Sequence, residues 1–524
     1  MDNKEPTIKS KIQPRCCPGG HPAGRANQGF SRRAFLKGMG ATAITGMAMG
    51  SLSWPLPAGA EVEPDVGLVR RPLKVKPILS YEIPERRLQT SWRSWGGIQT
   101  RADVEQESGR IHGELDKLRT ASDFPVEFLP LSAVRKAADL SSAADLADSD
   151  AILLYPAGGW MDVLDTLGGM GKDMIIFCRH RSGPVYLWYE IVSPRYLRQH
   201  TDAQAVKGVT DEDVVIDNQE ELLWRLRGLA GLRNTMNTRI LAIGGPDAWA
   251  QPRGVVPELV ENIWKFELRT FPYEELGPLL KAARADREAM KKAREQAAAY
   301  LSSPGTTLET ERSFVENAFL LEQVFLGLMK QADCRAITIN GCMGTIMPMA
   351  ETSACLTLSL LNDAGYLAFC ESDFVVIPSG VLLANISGKP VFLNDPTYPH
   401  EGIITLAHCT APRKMDGRKR EPARILTHFE SDYGAAPKVE MSRGQVLTNI
   451  APDFVSKRWV GLKGEIVDAP FLPICRSQIE IRFASDSLTL AQRMPGFHWM
   501  TGYGDYLREI GYALRRVNIA WDVL

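Results

Sequence analysis

The segment AFCESDF, residues 368–374, places two carboxylates and a cysteine between apolar runs of the sequence. The carboxylates belong to Glu371 and Asp373, and the flanking residues are typical of a buried strand. Burying a carboxylate costs several kcal/mol unless a cation or strong hydrogen-bond donors compensate for it. The segment therefore predicts a positively charged partner for these acids.

Three more segments in the last third of the chain combine acids or histidines with turns. They are FLNDP with Asp395, AHCT with His408, and PGFHWMTGYGD with His498 and Asp505. Carboxylate oxygens bind hard divalent cations such as Mn²⁺ and Mg²⁺, and a histidine beside two carboxylates favours manganese. One Glu, one Asp and one His would be enough to hold such an ion and would leave positions open for substrate oxygens.

Each of these residues also has an ordinary structural explanation. Glu371 and Asp373 could cap the helix that is predicted to begin near Pro378. Asp395 precedes a proline, which is common for turn residues. The histidines at 408 and 498 could be packed core residues, and those at 400 and 428, which follow strand ends, are assigned no role.

The chain before the β-rich end alternates short apolar runs with helical stretches, which is typical of α/β domains with parallel sheets. DAILLYPAGG (150–159) and MIIFCRH (174–180) are predicted strands, and a second unit begins with RILAIGGPDAWA at Arg239. The chain is predicted to be helical from about 275 to 330. A strand at 336–341 and a helix at 354–365 then lead into AFCESDF.

Beyond Lys389, short β-rich runs such as PVFLND, GIITLAH, ILTHFE, GQVLTNI and SQIEIRF follow one another between turn residues. They indicate an antiparallel sheet or barrel. The predicted fold class is α/β: two Rossmann-like α/β domains (70–235 and 236–385) and a β-rich, antiparallel barrel-like C-terminal domain (386–524). The helix GDYLREIGYALRRV is predicted to finish the chain.

The N-terminus predicts export. SRRAFLK (31–37) and the small apolar run after it resemble a twin-arginine signal, and Ala58–Gly59–Ala60 matches a cleavage site, so residues 1–60 are expected to be a signal peptide. The mature protein would be periplasmic or extracellular, with the twin-arginine translocation machinery as a partner. The chain has 61 basic and 62 acidic residues, so its near-zero net charge argues against nucleic-acid binding.

The nine cysteines include two, Cys16 and Cys17, that would leave with the signal. The other seven are irregularly spaced and form no CxxC motif, so neither a disulfide framework nor a zinc knuckle is indicated. Buried thiols are the simpler interpretation.

The four segments with acids and histidines resemble the C-terminal half of the L-fucose isomerase family, which is related to L-arabinose isomerase. In that pattern a CExD segment follows a helix and a short strand, an acidic ligand lies in a turn after a G-x-P-x-F strand, and an HC pair ends the next strand. A histidine near the C-terminus completes the site. The matching stretches are CESD (370–373), SGKPVFLND (387–395), AHCTAP (407–412) and GFHWMTGYGD (496–505). The resemblance covers about residue 336 to the end.

Carried over to these positions, the resemblance implies that Glu371, Asp395 and His498 bind the metal and that Glu371 and Asp395 also act as acid and base. Asp373 and His408 would support the ligands or orient the substrate. The expected cofactor is Mn²⁺, with Mg²⁺ or another divalent ion as alternatives. The family pattern also implies a homo-oligomer.

These roles suit a metal-dependent aldose–ketose isomerase that acts on a small-molecule sugar. Its reaction moves a proton between neighbouring carbons through an enediolate, which a divalent ion and two carboxylates can promote. Two alternatives use the same residues. One is an exported, non-catalytic sugar-binding protein on the same fold, and the other is a metal-dependent sugar lyase or epimerase.

Overall fold

The structure is a computed structural model that describes residues 67–197, 208–249, 251–252, 254–453 and 457–524. The predicted signal peptide, with Arg32 and Arg33, lies outside the described residues. None of the helices in these ranges is both long and apolar enough to cross a membrane.

The strands and helices alternate in the first two thirds of the chain, and strands dominate the last third. The strands are β1 (Leu73–Ser80), β2 (Val126–Phe128), β3 (Ser132–Val134), β4 (Ala151–Pro156), β5 (Asp173–Cys178), β6 (Val214–Ile216), β7 (Arg239–Ile243), β8 (Glu267–Phe271), β9 (Thr306–Leu308), β10 (Ala336–Ile339), β11 (Leu367–Cys370), β12 (Phe392–Pro396), β13 (Ile403–His408), β14 (Ala423–His428), β15 (Tyr433–Val439), β16 (Val446–Asp453), β17 (Arg458–Asp468), β18 (Ser477–Phe483), β19 (Trp499–Tyr503) and β20 (Ala520–Val523). The α-helices are α1 (Arg101–Ala121), α2 (Met161–Gly168), α3 (Leu187–Ile191), α4 (Gln219–Thr235), α5 (Val256–Trp264), α6 (Tyr273–Ala285), α7 (Arg287–Leu301), α8 (Arg312–Gln331), α9 (Met347–Ala350), α10 (Cys355–Asp363), α11 (Ile377–Ser387), α12 (Ser487–Arg493) and α13 (Leu507–Arg516).

The first sheet contains β1 to β6 and is parallel throughout. Its order is β2-β1-β4-β5-β6, with β3 also beside β1. Alternate residues of β4 pack into two separate cores: Leu153 and Tyr155 lie with α1 and α4, whereas Ile152 and Leu154 lie with α2. A strand covered on both faces is a continuous apolar run, which is why DAILLYPAGG could be identified from the sequence.

The second sheet is parallel, in the order β11-β10-β7-β8. Its carboxyl edge brings the turn after β7 against the turn after β11, where Asp247 and Asp373 form an isolated backbone bridge. In open α/β sheets, ligands bind beyond this edge. The segment CESD therefore leaves the sheet at the place where a ligand is expected.

The C-terminal strands β12, β13, β18, β17, β16 and β19 close into an antiparallel barrel, because β16 pairs with both β17 and β19. A smaller sheet pairs β15, β14 and β9. The predicted fold class is confirmed at this level: parallel α/β sheets are followed by an antiparallel barrel.

The second sheet and the barrel share one core. Ile243 and Ile339 from the sheet belong to the same buried cluster as Ile404 and Ile481 from the barrel. This packing holds the sheet against the barrel, so residues from both can meet at one site.

Two elements differ from the sequence interpretation. Asp286 interrupts the helical run at 281–301, because it ends α6 and caps α7 by accepting hydrogen bonds from the backbone N–H groups of Glu288 and Ala289. The prediction that α13 finishes the chain is wrong, since β20 follows it and pairs in parallel with β17. The four residues of β20 are too few to show a periodic pattern.

Candidate functional site

Four side chains from separate parts of the chain converge where the second sheet meets the barrel. Glu371 follows β11, Asp395 lies in β12, His408 ends β13 and His498 precedes β19. We call these four residues the acid–histidine cluster. All four were identified from the sequence as chemically significant.

Strand register explains why three of these residues meet. β12 lies between β13 and β19 in the barrel. Asp395 pairs with the residue before His408, and its neighbour Asn394 pairs with the residue after His498. Directly opposed residues of antiparallel strands lie about 4.5–5.5 Å apart, so the three side chains become close neighbours.

Short contacts join the cluster around His498. Its Nε2 atom lies 3.2 Å from Asp395 Oδ1 and 3.5 Å from Glu371 Oε2. His408 Nε2 lies 3.7 Å from Glu371 Oε1. The side chains of Glu371 and Asp395 are 19% and 22% exposed, whereas both histidines are buried. The two carboxylates are therefore partly accessible to solvent, whereas the imidazoles beside them are not.

The backbone that presents Glu371 is strained. Glu371 and Ser372 both adopt left-handed conformations, with φ of 64° and 47°. Such conformations cost about 1–2 kcal/mol per non-glycine residue. Two backbone hydrogen bonds support the turn: Asp247 N–H donates to Ser372 O at 3.0 Å, and Phe374 N–H donates to Asp247 O at 3.1 Å. Strain of this kind is concentrated at functional sites, where surrounding contacts maintain it.

Asp373 orients His498. Its Oδ2 accepts a hydrogen bond from His498 Nδ1 at 2.7 Å, while its Oδ1 accepts from the backbone N–H groups of Trp249 and Val375. Because the carboxylate can only accept, the proton lies on Nδ1 and the ring presents Nε2 to Asp395. The capping alternative is wrong for Asp373, because α11 begins after Val376 without a side-chain cap, and the two Asp373 oxygens hold the turn and the histidine instead.

The charges around His498 raise its pKa. Burial alone would lower the pKa of this imidazole, but the negative charge of Glu371, the hydrogen bond to Asp373 and the adjacent carboxylate of Asp395 raise it well above its ordinary value. The pKa of His408 is also raised: burial lowers it and is the largest single effect, but Glu371, Asp395 and Cys409 together outweigh burial. The site therefore strongly favours positive charge.

Two buried atoms of the cluster fit a cation. Asp395 Oδ1 and His498 Nε2 lie 3.2 Å apart, close enough to pair with each other, and neither makes a hydrogen bond to any other group among the described residues. Adjacent ligands on a small divalent ion, with bonds of about 2.1 Å, are separated by about 3 Å. A buried pair of atoms at this spacing, beside a carboxylate, is compatible with a divalent metal ion.

No protein-family model matches the chain, and no curated protein matches it. The resemblance to L-fucose isomerases therefore stays a prediction. The function of the chain has to be inferred from the geometry of the site.

A second set of ligand atoms overlaps the cluster. One atom each from Cys370, Glu371 and His408 lie within 4.8 Å of one another. This triad could hold a metal ion, and it shares only Glu371 with the predicted ligands. Its sulfur donor suits softer ions such as Zn²⁺, whereas two carboxylates and an imidazole suit Mn²⁺.

The residues beside the cluster include thiols that the sequence analysis did not connect with it. Five of the seven free cysteines among the described residues contribute: Cys342, Cys355, Cys370, Cys409 and Cys475. Thiol hydrogen bonds join Cys342 to Cys370, and join Cys409 to both Cys355 and Cys475. These two bonds hold the pKa of the Cys409 thiol well below its ordinary value. Irregular spacing in the sequence concealed this clustering.

Trp249 is another residue that the sequence analysis missed. Its ring stacks on Phe497, with centroids 4.1 Å apart, and lies 5.7 Å from the His498 ring. Its indole Nε1 is buried and has no hydrogen-bond partner in the described part of the chain. The segment RILAIGGPDAWA contained the information needed to find Trp249, because the turn after β7 lies at the same sheet edge as CESD.

The remaining candidates lie elsewhere or serve the structure. Asp505 is exposed and pairs with Lys463 at 2.8 Å. His400 is exposed in a turn. His428 is buried, with Nδ1 3.0 Å from Ser431 Oγ.

Proposed function

We propose that this chain is a metal-dependent ketol isomerase that acts on a sugar. One observation carries the proposal: Asp395 Oδ1 and His498 Nε2 are buried 3.2 Å apart and beside Glu371, and neither bonds to any other group among the described residues. This arrangement supplies a cation site and two partly exposed carboxylates. The family resemblance implies the same ligand set.

In this proposal Glu371, Asp395 and His498 hold Mn²⁺, with Mg²⁺ or another divalent ion as alternatives. When bound, the ion would supply the positive charge that stabilises the negative charge developing on the sugar oxygens. Asp373 keeps the His498 ring in place through the hydrogen bond to Nδ1.

The carboxylates of the chain carry out the proton transfer. Glu371 removes the proton from the carbon beside the carbonyl, and Asp395 serves as the second proton carrier. Both side chains are partly exposed, so both can reach a bound sugar. The stacked rings of Trp249 and Phe497 shield the His498 side of the site from water.

The direct test is exchange of the sugar C2 proton with deuterated solvent, followed by NMR over a panel of sugars with and without Mn²⁺. Glu371→Gln should reduce exchange by about 10²–10⁴-fold, because it removes the base while keeping its volume. Asp505→Asn is the matched control, since this exposed carboxylate lies on a surface ion pair.

Each alternative gives a different result in this experiment. Full exchange by Glu371→Gln would show that Glu371 is not the base. Sugar binding without exchange by the wild type would favour the non-catalytic binding protein. Exchange that yields an epimer or a cleaved product would favour the epimerase or lyase.

Three further expectations belong to the proposal. We infer export by the twin-arginine pathway from the segment at 31–37, and a homo-oligomer from the family resemblance. We also place the two parallel sheets in the Rossmann-like, doubly wound class, because helices cover both faces of the first sheet.

A further inference from the structure

Cys409 and Cys475 lie just beyond the end of a strand pair. The last register pair of β13 and β18 joins His408 to Ser477. The backbone N–H of Arg476 donates to Cys409 Sγ at 3.5 Å, so these two chain segments remain in contact past the ladder. Cys409 therefore lies opposite the residue next to Cys475.

This placement suits a disulfide. Direct partners on antiparallel strands have Cα atoms about 4.5–5.5 Å apart, and Cys475 lies one residue from the position opposite Cys409, beyond the end of the ladder. Disulfides span Cα separations of about 4.4–6.8 Å. The Cys409 and Cys475 side chains also pack together, in a small buried group with Cys355 and Ala436.

The two thiols differ in accessibility. Cys475 is partly exposed, whereas Cys409 and Cys355 are buried. The segment just before Cys475 is at the surface, with Phe471 45% exposed and Leu472 43% exposed. A small reagent in solvent can therefore reach Cys475 first, and Cys409 is the neighbour that can complete the reaction.

We propose that Cys475 and Cys409 form a reversible disulfide by exchange with a small-molecule disulfide of the glutathione class. Loss of one proton from the Cys409–Cys475 pair gives a thiolate, which attacks one sulfur of the reagent through the accessible Cys475, forms a mixed disulfide and releases one thiolate. The Cys409 thiolate then attacks the Cys475 sulfur and releases the second thiolate. Each released thiolate takes up a proton from one cysteine. In total, two cysteine thiols and one disulfide give one protein disulfide and two small thiols.

The disulfide would act on the position of His408. Cys409 directly follows His408, whose Nε2 lies 3.7 Å from Glu371 Oε1. Tying Cys409 to Cys475 fixes the end of β13 against the segment before β18. The modification does not depend on the isomerase proposal, so the two can fail separately.

The test is non-reducing peptide mapping by mass spectrometry after the full chain is incubated with oxidised glutathione. We expect a linked pair of peptides that contain Cys409 and Cys475, and its disappearance after treatment with dithiothreitol. Cys475→Ser should remove the link. Cys334→Ser, which changes a buried thiol in the loop before β10, is the control and should retain it.

Cys355→Ser provides a further check, because Cys355 competes for Cys409. Its loss should leave the Cys409–Cys475 link in place. Circular dichroism of each variant verifies folding. The proposal would be overturned by a stable glutathione adduct on Cys475, by a link from Cys409 or Cys475 to any other cysteine, or by both thiols remaining open to alkylation.

Discussion

At the scale of single residues, His498 determines how the negative charge of the site is neutralised. A proton on this imidazole and a metal ion beside Nε2 are alternatives, because either one supplies the positive charge that Glu371 and Asp395 require. Asp373 cannot take the role of these two acids, because one of its oxygens accepts a hydrogen bond from His498 Nδ1 and the other accepts from backbone N–H groups. The three carboxylates therefore have different tasks despite their similar chemistry.

Asp373→Asn should lower the affinity for Mn²⁺ by roughly tenfold to a hundredfold, which is the usual effect of losing a residue that orients a metal-binding histidine. The amide has no charge to fix the proton on Nδ1. Isothermal titration calorimetry of the two proteins measures the difference, and Asp505→Asn should bind like the wild type. Equal affinities for Asp373→Asn and the wild type would show that Asp373 has no part in the site.

A second residue-scale prediction concerns Glu322 in α8. Burial, with the negative charge of Asp363 as the next cause, raises the pKa of Glu322 from 4.5 to about 8. Between pH 4.5 and about pH 8 the folded state keeps a proton that the unfolded state has lost, so the free energy of unfolding falls as pH rises through this window.

Glu322→Gln removes this pH-dependent loss of unfolding free energy. Relative to the variant, the wild type should lose up to about 4 kcal/mol of unfolding free energy over that window, since one pKa unit corresponds to about 1.4 kcal/mol. Urea denaturation of both proteins at several pH values measures the difference. Parallel pH profiles for the two proteins would contradict the raised pKa.

At the scale of elements, close packing of two helices connects the first sheet to the segment after CESD. Gly231 in α4 lies against Ile386 in α11, and a Cβ added at Gly231 would lie 3.0 Å from Ile386 Cα and 3.1 Å from its backbone nitrogen. Because α11 follows directly from the Glu371 turn, this contact helps to position that turn. Position 231 requires a glycine because the backbones of α4 and α11 approach each other closely there.

Gly231→Ala should therefore destabilise the protein by about 1–3 kcal/mol, the usual cost of overpacking, although alanine is the better helix former. Gly113→Ala in α1 is the matched control, because nothing lies within 4 Å of its added Cβ. That change should raise the unfolding free energy by about 0.5–1 kcal/mol. Thermal unfolding measures both, and the same sign of change in the two variants would refute the packing argument.

At the scale of the whole molecule, local sequence patterns were enough to predict most helices and strands. The site could not be located from them, because it depends on pairing between strands that are far apart in the sequence. The buried runs of β4 and β5 and the turn-rich segments after Lys389 carried enough signal to predict the fold class. Barrel closure was not accessible from them, because it depends on β16 pairing with both β17 and β19.

The candidate site residues show the same division between what local sequence and long-range pairing reveal. Glu371, Asp395, His408 and His498 were identified by residue type, and register then explains their convergence. Trp249 and the clustered cysteines were missed because their residue types usually indicate packing. For Trp249, Cys370 and Cys409, the position at or just after a predicted strand end was the better guide.

The central claim is that one divalent ion binds between Glu371, Asp395 and His498. Anomalous diffraction from crystals grown with Mn²⁺ tests it most directly. We predict a single anomalous peak at about 2.2 Å from Asp395 Oδ1, His498 Nε2 and a Glu371 carboxylate oxygen. A peak bound by Cys370 and His408 without Asp395 and His498, or no peak at this site, would contradict the account.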